Sequence, residues 1–241
     1  MEFLLEGSFW LSVAQIIAID ILLGGDNAVV IALACRRLPE AQRRQGIFWG
    51  VVGAIALRIV LIFFALQLLE LPYLKLAGAV LLVWIGIQLL QPEEGDGHGS
   101  IEGSTSLLGA IKTVVVADAV MSIDNVIAVA GAAHGNMALV VFGILVSIPI
   151  IVWGSQMVLA LMDRFPVVIT LGGALLGWIA GGMLVGDKAL AAWLTATPLH
   201  HYGASAVGAI LVVVVGTWLA RRRPASAEIV EIPADGGTGQ S

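Results

Sequence analysis

Asp20-Ile21-Leu22-Leu23-Gly24-Gly25-Asp26-Asn27 is a polar motif set inside an apolar run, and it has a counterpart at Asp118-Ala119-Val120-Met121-Ser122-Ile123-Asp124-Asn125. Each copy has two aspartates six residues apart, with an asparagine directly after the second. The chain has 17 acidic residues, and only Asp20, Asp26, Asp118 and Asp124 lie deep inside such runs. An ionised carboxylate at the centre of a bilayer costs roughly 2.5–3.5 kcal/mol even on a lenient scale. The same penalty incurred at matching positions points to a shared polar site.

The surroundings of the motifs are membranous. Of 241 residues, 59% are hydrophobic and 12% charged, and the mean hydropathy is +0.99. The charged share is about half that of a soluble domain, so the chain reads as an integral membrane protein in a lipid bilayer. The net charge of −5 carries little weight, because most charges fall between apolar runs or in the tail, and no basic patch calls for nucleic acid. The single cysteine, Cys35, excludes an internal disulfide and a multi-thiolate metal site. The N-terminus lacks the basic region and small-residue cleavage site of a signal peptide, so the first apolar run is expected to be retained.

A bilayer core needs about 20 apolar residues per helix. Seven runs qualify, at 9–35, 46–69, 73–91, 106–133, 138–161, 166–186 and 203–220. They predict an all-α fold, a polytopic transmembrane bundle forming one domain over 1–223. The acidic stretch 92–105 and the tail 224–241, rich in Pro, Gly, Ala and acids, read as disordered. Arg36, Arg37, Arg43, Arg44, Arg164, Arg221, Arg222 and Arg223 all fall on one side of a seven-span bundle, with Lys75 and Lys188 on the other. The positive-inside rule then puts the N-terminus outside and the C-terminus in the cytoplasm. Trp49, Trp193 and Trp218 fall near predicted helix ends, as interfacial aromatics do.

The chain also repeats itself. Asp20, Asp26 and Asn27 map onto Asp118, Asp124 and Asn125 at an offset of 98. Pro72, Gly78, Leu82, Trp84 and Ile85 map onto Pro166, Gly172, Leu176, Trp178 and Ile179 at an offset of 94. Residues 9–91 and 106–186 thus form two three-helix repeats, and the seventh helix is extra. An odd number of spans makes the second repeat enter from the opposite side, the inverted arrangement whose ligand sites lie at the repeat interface near the midplane.

On a helix, six residues put Asp20 and Asp26 about 120° apart, whereas Asn27 shares the face of Asp20. Gly24 and Gly25 would allow a bend or unwinding that brings Asp26 in. Ser122 stands one turn from Asp118. Four carboxylates and two amide oxygens suit hard divalent cations such as Mg2+, Ca2+ and Mn2+. His98, His134, His200 and His201 lie in loops or at helix ends, which disfavours a soft-metal site. Arg58, midway along the second helix, has no acid on its own helix and is expected to pair with one of the four aspartates. Four acids that merely locked helices together would be stabilised by neutralisation, since a buried charge is costly unless paired. As metal ligands, Asp26 and Asp124 should matter equally.

The blocks GGDNAVVIALA at 24–34 and SIDNVIAVAG at 122–131 resemble the signature blocks of the TerC family of bacterial membrane proteins, and the spacing and seven-helix plan resemble its YjbE-type branch. The resemblance spans about residues 8–220. It implies a bacterial cytoplasmic membrane protein linked to manganese efflux and, historically, to tellurium resistance. It also implies that Asp20, Asp26, Asn27, Asp118, Asp124 and Asn125 are the metal ligands, with Gly24, Gly25, Ser122 and Arg58 in support.

The resulting expectation is a secondary transporter exporting Mn2+ in exchange for protons, with the metal as substrate and no tightly bound cofactor. Clustered carboxylates hold protons when metal is absent and release them when it binds. No phosphate-binding GxxxxGK[ST] loop occurs. An intramembrane aspartyl protease, the enzyme alternative, would need glycine where Leu23 stands and a Tyr-Asp pair that neither Tyr73 nor Tyr202 forms, so an enzyme is not expected. A Ca2+ or Mg2+ transporter, or a membrane partner that loads metal onto exported proteins, are the alternatives. The oligomeric state stays open.

Overall fold

Where the connections are described, Pro39, Pro166 and the Gly186-Asp187 pair separate successive helices. The computed structural model describes residues 7–64, 68, 71–91, 106–132, 137–191 and 197–222. Every regular element among them is a helix: α1 (Gly7–Cys35), α2 (Glu40–Phe63), α3 (Leu74–Leu90), α4 (Leu107–Ala132), α5 (Met137–Arg164), α6 (Val167–Val185), α7 (Lys188–Ala191) and α8 (Pro198–Arg222). His98, His134, Trp193, the acidic stretch 92–105 and the tail 224–241 lie outside the described residues.

The helix ends differ from the hydropathy reading where polar residues continue a helix. α2 begins at Glu40 rather than at 46, so Arg43 and Arg44 ride its first turns. Pro39 presets the backbone at φ −52°, and its carbonyl accepts the N–H groups of Gln42 and Arg43 at 2.8 and 3.1 Å. α8 begins at Pro198 rather than at 203. Thr197 caps it, its hydroxyl accepting the His200 N–H at 3.3 Å, with proline in the first helical position. His200 and His201 therefore sit in the first turn of α8. α7 is a single turn that hydropathy did not announce. The expected break at Gly24-Gly25 is absent, and α1 is helical through both glycines. In apolar surroundings a broken helix would leave backbone groups unpaired, which outweighs the roughly 1 kcal/mol helix penalty of a glycine.

α1 packs mainly on α5 and α4, and α2 on α4 and α5, while α6 lies between α3 and α8. Val30, Ile31, Leu33, Ile47, Val51, Val114, Val140, Ile144 and Leu176 lie in one buried core. The α6–α8 contact is a seam of small residues. A Cβ added at Gly177 would stand 2.3 Å from the Gly208 carbonyl oxygen, and one at Gly181 would stand 2.1 Å from that of Ala204. Only glycine allows backbones this close, the small-xxx-small solution of helices in lipid.

α3 has both ends satisfied by distant residues. Asp187, after α6, accepts the N–H groups of Tyr73 at 3.1 Å, Leu76 at 3.0 Å and Ala189 at 2.8 Å. It thereby caps the α3 N-terminus from another element, where Tyr73 adopts φ +66°. That left-handed conformation costs a non-glycine residue about 1–2 kcal/mol, which the carboxylate contacts offset. At the other end Arg36 reaches the Leu89 carbonyl at 2.9 Å, and Arg37 reaches that of Gln88 at 2.9 Å and that of Gln91. These groups complement the dipole and the open carbonyls of the helix end.

The outer surface is apolar. Leu22, Leu108, Trp153 and Val207 are among the exposed large hydrophobic residues, Leu22 at 83%. A soluble monomer does not expose such a surface. By length and composition, Glu40–Phe63, Val140–Arg164, Val167–Val185 and Pro198–Arg222 can each cross a membrane, and Gly25–Cys35 and Leu74–Leu90 are shorter apolar helices. At the end where α1 runs into α2, Arg43 pairs with Asp163 of α5 at 3.0 Å. Trp218 is covered by the Arg222 guanidinium 3.7 Å from its ring centre.

Candidate functional site

Two of the mid-helix aspartates meet. Asp20 from α1 and Asp118 from α4 are 1% and 5% exposed, and Arg58 from α2, 3% exposed, lies between them. One guanidinium nitrogen, Nη1, donates to Asp20 Oδ1. The other, Nη2, donates to Asp118 Oδ1 at 2.5 Å. Nε donates to the Ser122 hydroxyl at 3.0 Å, which in turn lies 3.2 Å from Asp118 Oδ2 and donates to it. A planar fork with fixed donors is what allows one cation to bridge two carboxylates on different helices. Arg58 thus pairs with two aspartates where the sequence led one to expect a single partner.

Asn27 completes the near side. Its amide nitrogen donates to Asp118 Oδ1 at 2.6 Å. The helix geometry that put Asp20 and Asn27 on one face therefore holds. Asp26, a third of a turn away, is half-buried. The Oδ1 atoms of Asp26 and Asn27 are both buried and have no hydrogen-bond partner among the described residues. A buried acceptor without a donor costs about 1–3 kcal/mol, and two on neighbouring residues are an arrangement suited to a bound cation. Asn125 is half-buried. The Asp124 side chain lies outside the described residues, so the inner acid of the second copy cannot be placed beside Asp26. Among the described residues nothing lies within 4 Å of a Cβ added at Gly25.

Ser147 of α5 is a site residue that the sequence did not disclose. It is fully buried, and its hydroxyl reaches Asp20 Oδ2 and lies 2.7 Å from the Ile144 carbonyl. With one proton it donates to one of these at a time. Serine is common in apolar helices, where its hydroxyl bonds the preceding turn, so nothing in its spacing set it apart. All the contacts come from α1, α2, α4 and α5, the four helices that pack on one another. Among the described residues no group of three or more His, Cys, Asp or Glu side chains is arranged to hold a metal ion. In this conformation the space between Asp20 and Asp118 holds Arg58.

Helices with an apolar exterior and a buried ionic centre define an integral membrane protein. Residues 5–224 match the integral membrane protein TerC family, and the chain belongs to it. It is 46% identical over 190 residues to the uncharacterised membrane protein YjbE of Bacillus subtilis (strain 168), covering 79% of this chain and 86% of that one. It is 26% identical over 187 residues to YceF of the same organism, covering 74% of this chain and 72% of that one. The inner membrane protein YgdQ of Escherichia coli (strain K12) is 22% identical over 173 residues, covering 65% of this chain and 73% of that one. No solved structure matches the chain.

Proposed function

We propose that the protein is a secondary transporter that exports divalent metal ions, Mn2+ foremost, across the bacterial cytoplasmic membrane in exchange for protons. The observation that carries this reading is the buried meeting of Asp20 and Asp118, equivalent residues of the two motif copies, beside the unpartnered oxygens of Asp26 and Asn27. Asp20, Asp26, Asn27, Asp118, Asp124 and Asn125 are the proposed ligands. Carboxylate and amide oxygens suit Mn2+, Ca2+ and Mg2+, and Mn2+ is favoured by the family resemblance.

The proposed architecture is seven spans, α1–α6 and α8, with α1–α3 and α4–α6 as inverted repeats. The packing supports it: exchanging the halves turns the α1–α5 contact into α4–α2, and both are extensive. The arginines place the N-terminus outside and the C-terminus in the cytoplasm. Export of two charges against ~100 mV costs about 4.6 kcal/mol, which proton entry offsets. Counterflow of Mn2+, Ca2+ and Mg2+ in proteoliposomes holding the purified protein tests the reading. Mn2+ exchange that acidifies the compartment receiving protons is the expected result, and no flux of any divalent ion would sink it.

A further inference from the structure

We infer that Arg58 is a tethered competitor for the transported ion and makes the site a valence filter. This rests on the reading of Asp20 and Asp118 as cation ligands. The two carboxylates carry two negative charges, and Arg58 returns one of them. A monovalent ion replacing the guanidinium leaves the charge between the carboxylates unchanged, while it sheds its own hydration and breaks the donations to Asp20, Asp118 and Ser122. A divalent ion brings that charge to zero and gains about twice the Coulombic attraction at the same distance. The charge balance therefore favours charge two over charge one, and the unpartnered Asp26 and Asn27 oxygens stand beside the carboxylates to replace the larger hydration shell a divalent ion gives up.

The same geometry weakens divalent binding on purpose of release. A metal binds only the fraction of molecules in which Arg58 has left the carboxylates, so the apparent affinity falls by that fraction. When the metal departs, Arg58 closes the gap and keeps two buried carboxylates from facing each other uncompensated. Arg58 bridges α1 and α4, which carry the two motif copies, and the metal would take over the same bridge. Ser122 and Asn27 hold the Asp118 carboxylate in place during the exchange, at 3.2 and 2.6 Å.

The test is Mn2+ titration of the full-length purified protein, read by thermal unfolding, in Na+ or in N-methylglucamine at matched ionic strength. Wild type is expected to show the same half-saturating Mn2+ in both salts. Arg58→Gln is expected to need roughly tenfold less Mn2+ if the uncapped site is populated about one part in ten, and to lose affinity when Na+ is present. Arg58→Lys keeps the charge without the planar fork, and is expected to fold and still to exclude Na+. Competition by Na+ in the wild type, Na+ entry into Arg58→Lys, or Arg58→Gln with unchanged Mn2+ affinity and no Na+ effect would each overturn the inference. A wild type indifferent to Mn2+, Ca2+ and Mg2+ would instead remove the metal site itself and this inference with it. If Arg58→Gln fails to fold, Na+ competition in the wild type or in Arg58→Lys still overturns the inference, and Arg58→Met takes the place of the glutamine variant.

Discussion

Neutralising Asp118 should destabilise the protein, and neutralising Asp26 should not. Asp118 accepts from Arg58 at 2.5 Å, Asn27 at 2.6 Å and Ser122 at 3.2 Å. Asp118→Asn preserves the shape and removes the charge, leaving Arg58 with Asp20 alone. Breaking a buried ion pair costs about 3–5 kcal/mol, and the lower end applies because one partner stays. At about 2–4 °C per kcal/mol the melting temperature should fall by roughly 6–12 °C. Asp26 has a buried oxygen with no partner and no ion pair among the described residues, so Asp26→Asn should be neutral or raise stability by up to about 1 kcal/mol. Far-UV circular dichroism of the detergent-solubilised proteins at pH 7.5 follows unfolding directly in an all-helical chain. Both variants should lose the stabilisation that Mn2+ gives the wild type by binding its folded state. Equal destabilisation by the two substitutions, or an Asp118→Asn protein as stable as wild type, would refute the reasoning.

Asp187→Ala should destabilise by about 2 kcal/mol, the upper end for a helix cap, because three N–H groups lose their acceptor. Burial pushes the Asp187 carboxyl upward, but the N–H groups of Leu76, Ala189 and Tyr73 outweigh it and hold its pKa below the usual carboxylate value. Its contribution is therefore complete above about pH 4 and lost as pH falls through the lower folded-state value, so the gap between wild type and variant in pH-dependent melting should close in acid. Gly181→Ala should break the α6–α8 seam and cost upwards of about 2 kcal/mol by overpacking, whereas Gly25→Ala, with open space around it, should stabilise by about 0.5–1 kcal/mol. If α1 unwinds at Gly24-Gly25 during the cycle, Gly25→Ala should also slow Mn2+ flux in vesicles. Reporter fusions in the 36–39 turn and after Arg223 should report the cytoplasm, and one at 135 the outside; 135 and the C-terminus on one side would end the seven-span reading.

The ionic centre was legible because charge in an apolar run is conspicuous. Asp20, Asp118 and Arg58 each stand where a membrane helix carries no charge without a partner, and Ser122 follows Asp118 by one turn. The symmetry between the motif copies reappears in the outer acids, which face the same arginine. Asp20 and Asp118 share a counter-ion, so the general rule that neutralisation relieves a buried acid does not apply to them. Ser147 carries no charge and Asp187 stands beside Lys188 in a short connection, where an acid reads as an ordinary loop charge, so neither gave a signal that sequence spacing could separate. The start of α2 was hidden for a related reason. Arg43 and Arg44 are polar, and hydropathy reads polar residues as loop, although a helix can continue beyond the apolar layer.

The borrowed caps of α3 also fix an order of assembly. Arg36 and Arg37 are made before α3 and can meet its C-terminus as soon as that helix is complete. Asp187 follows Leu76 and Tyr73 by 111 and 114 residues, an interval of roughly 6–23 s at ordinary rates of synthesis. Through that interval the ribosome has delivered α3 to the bilayer with the N–H groups of its first turn still waiting for their carboxylate. The first half of the chain therefore cannot reach its final form alone, and completion of the second half is what closes it.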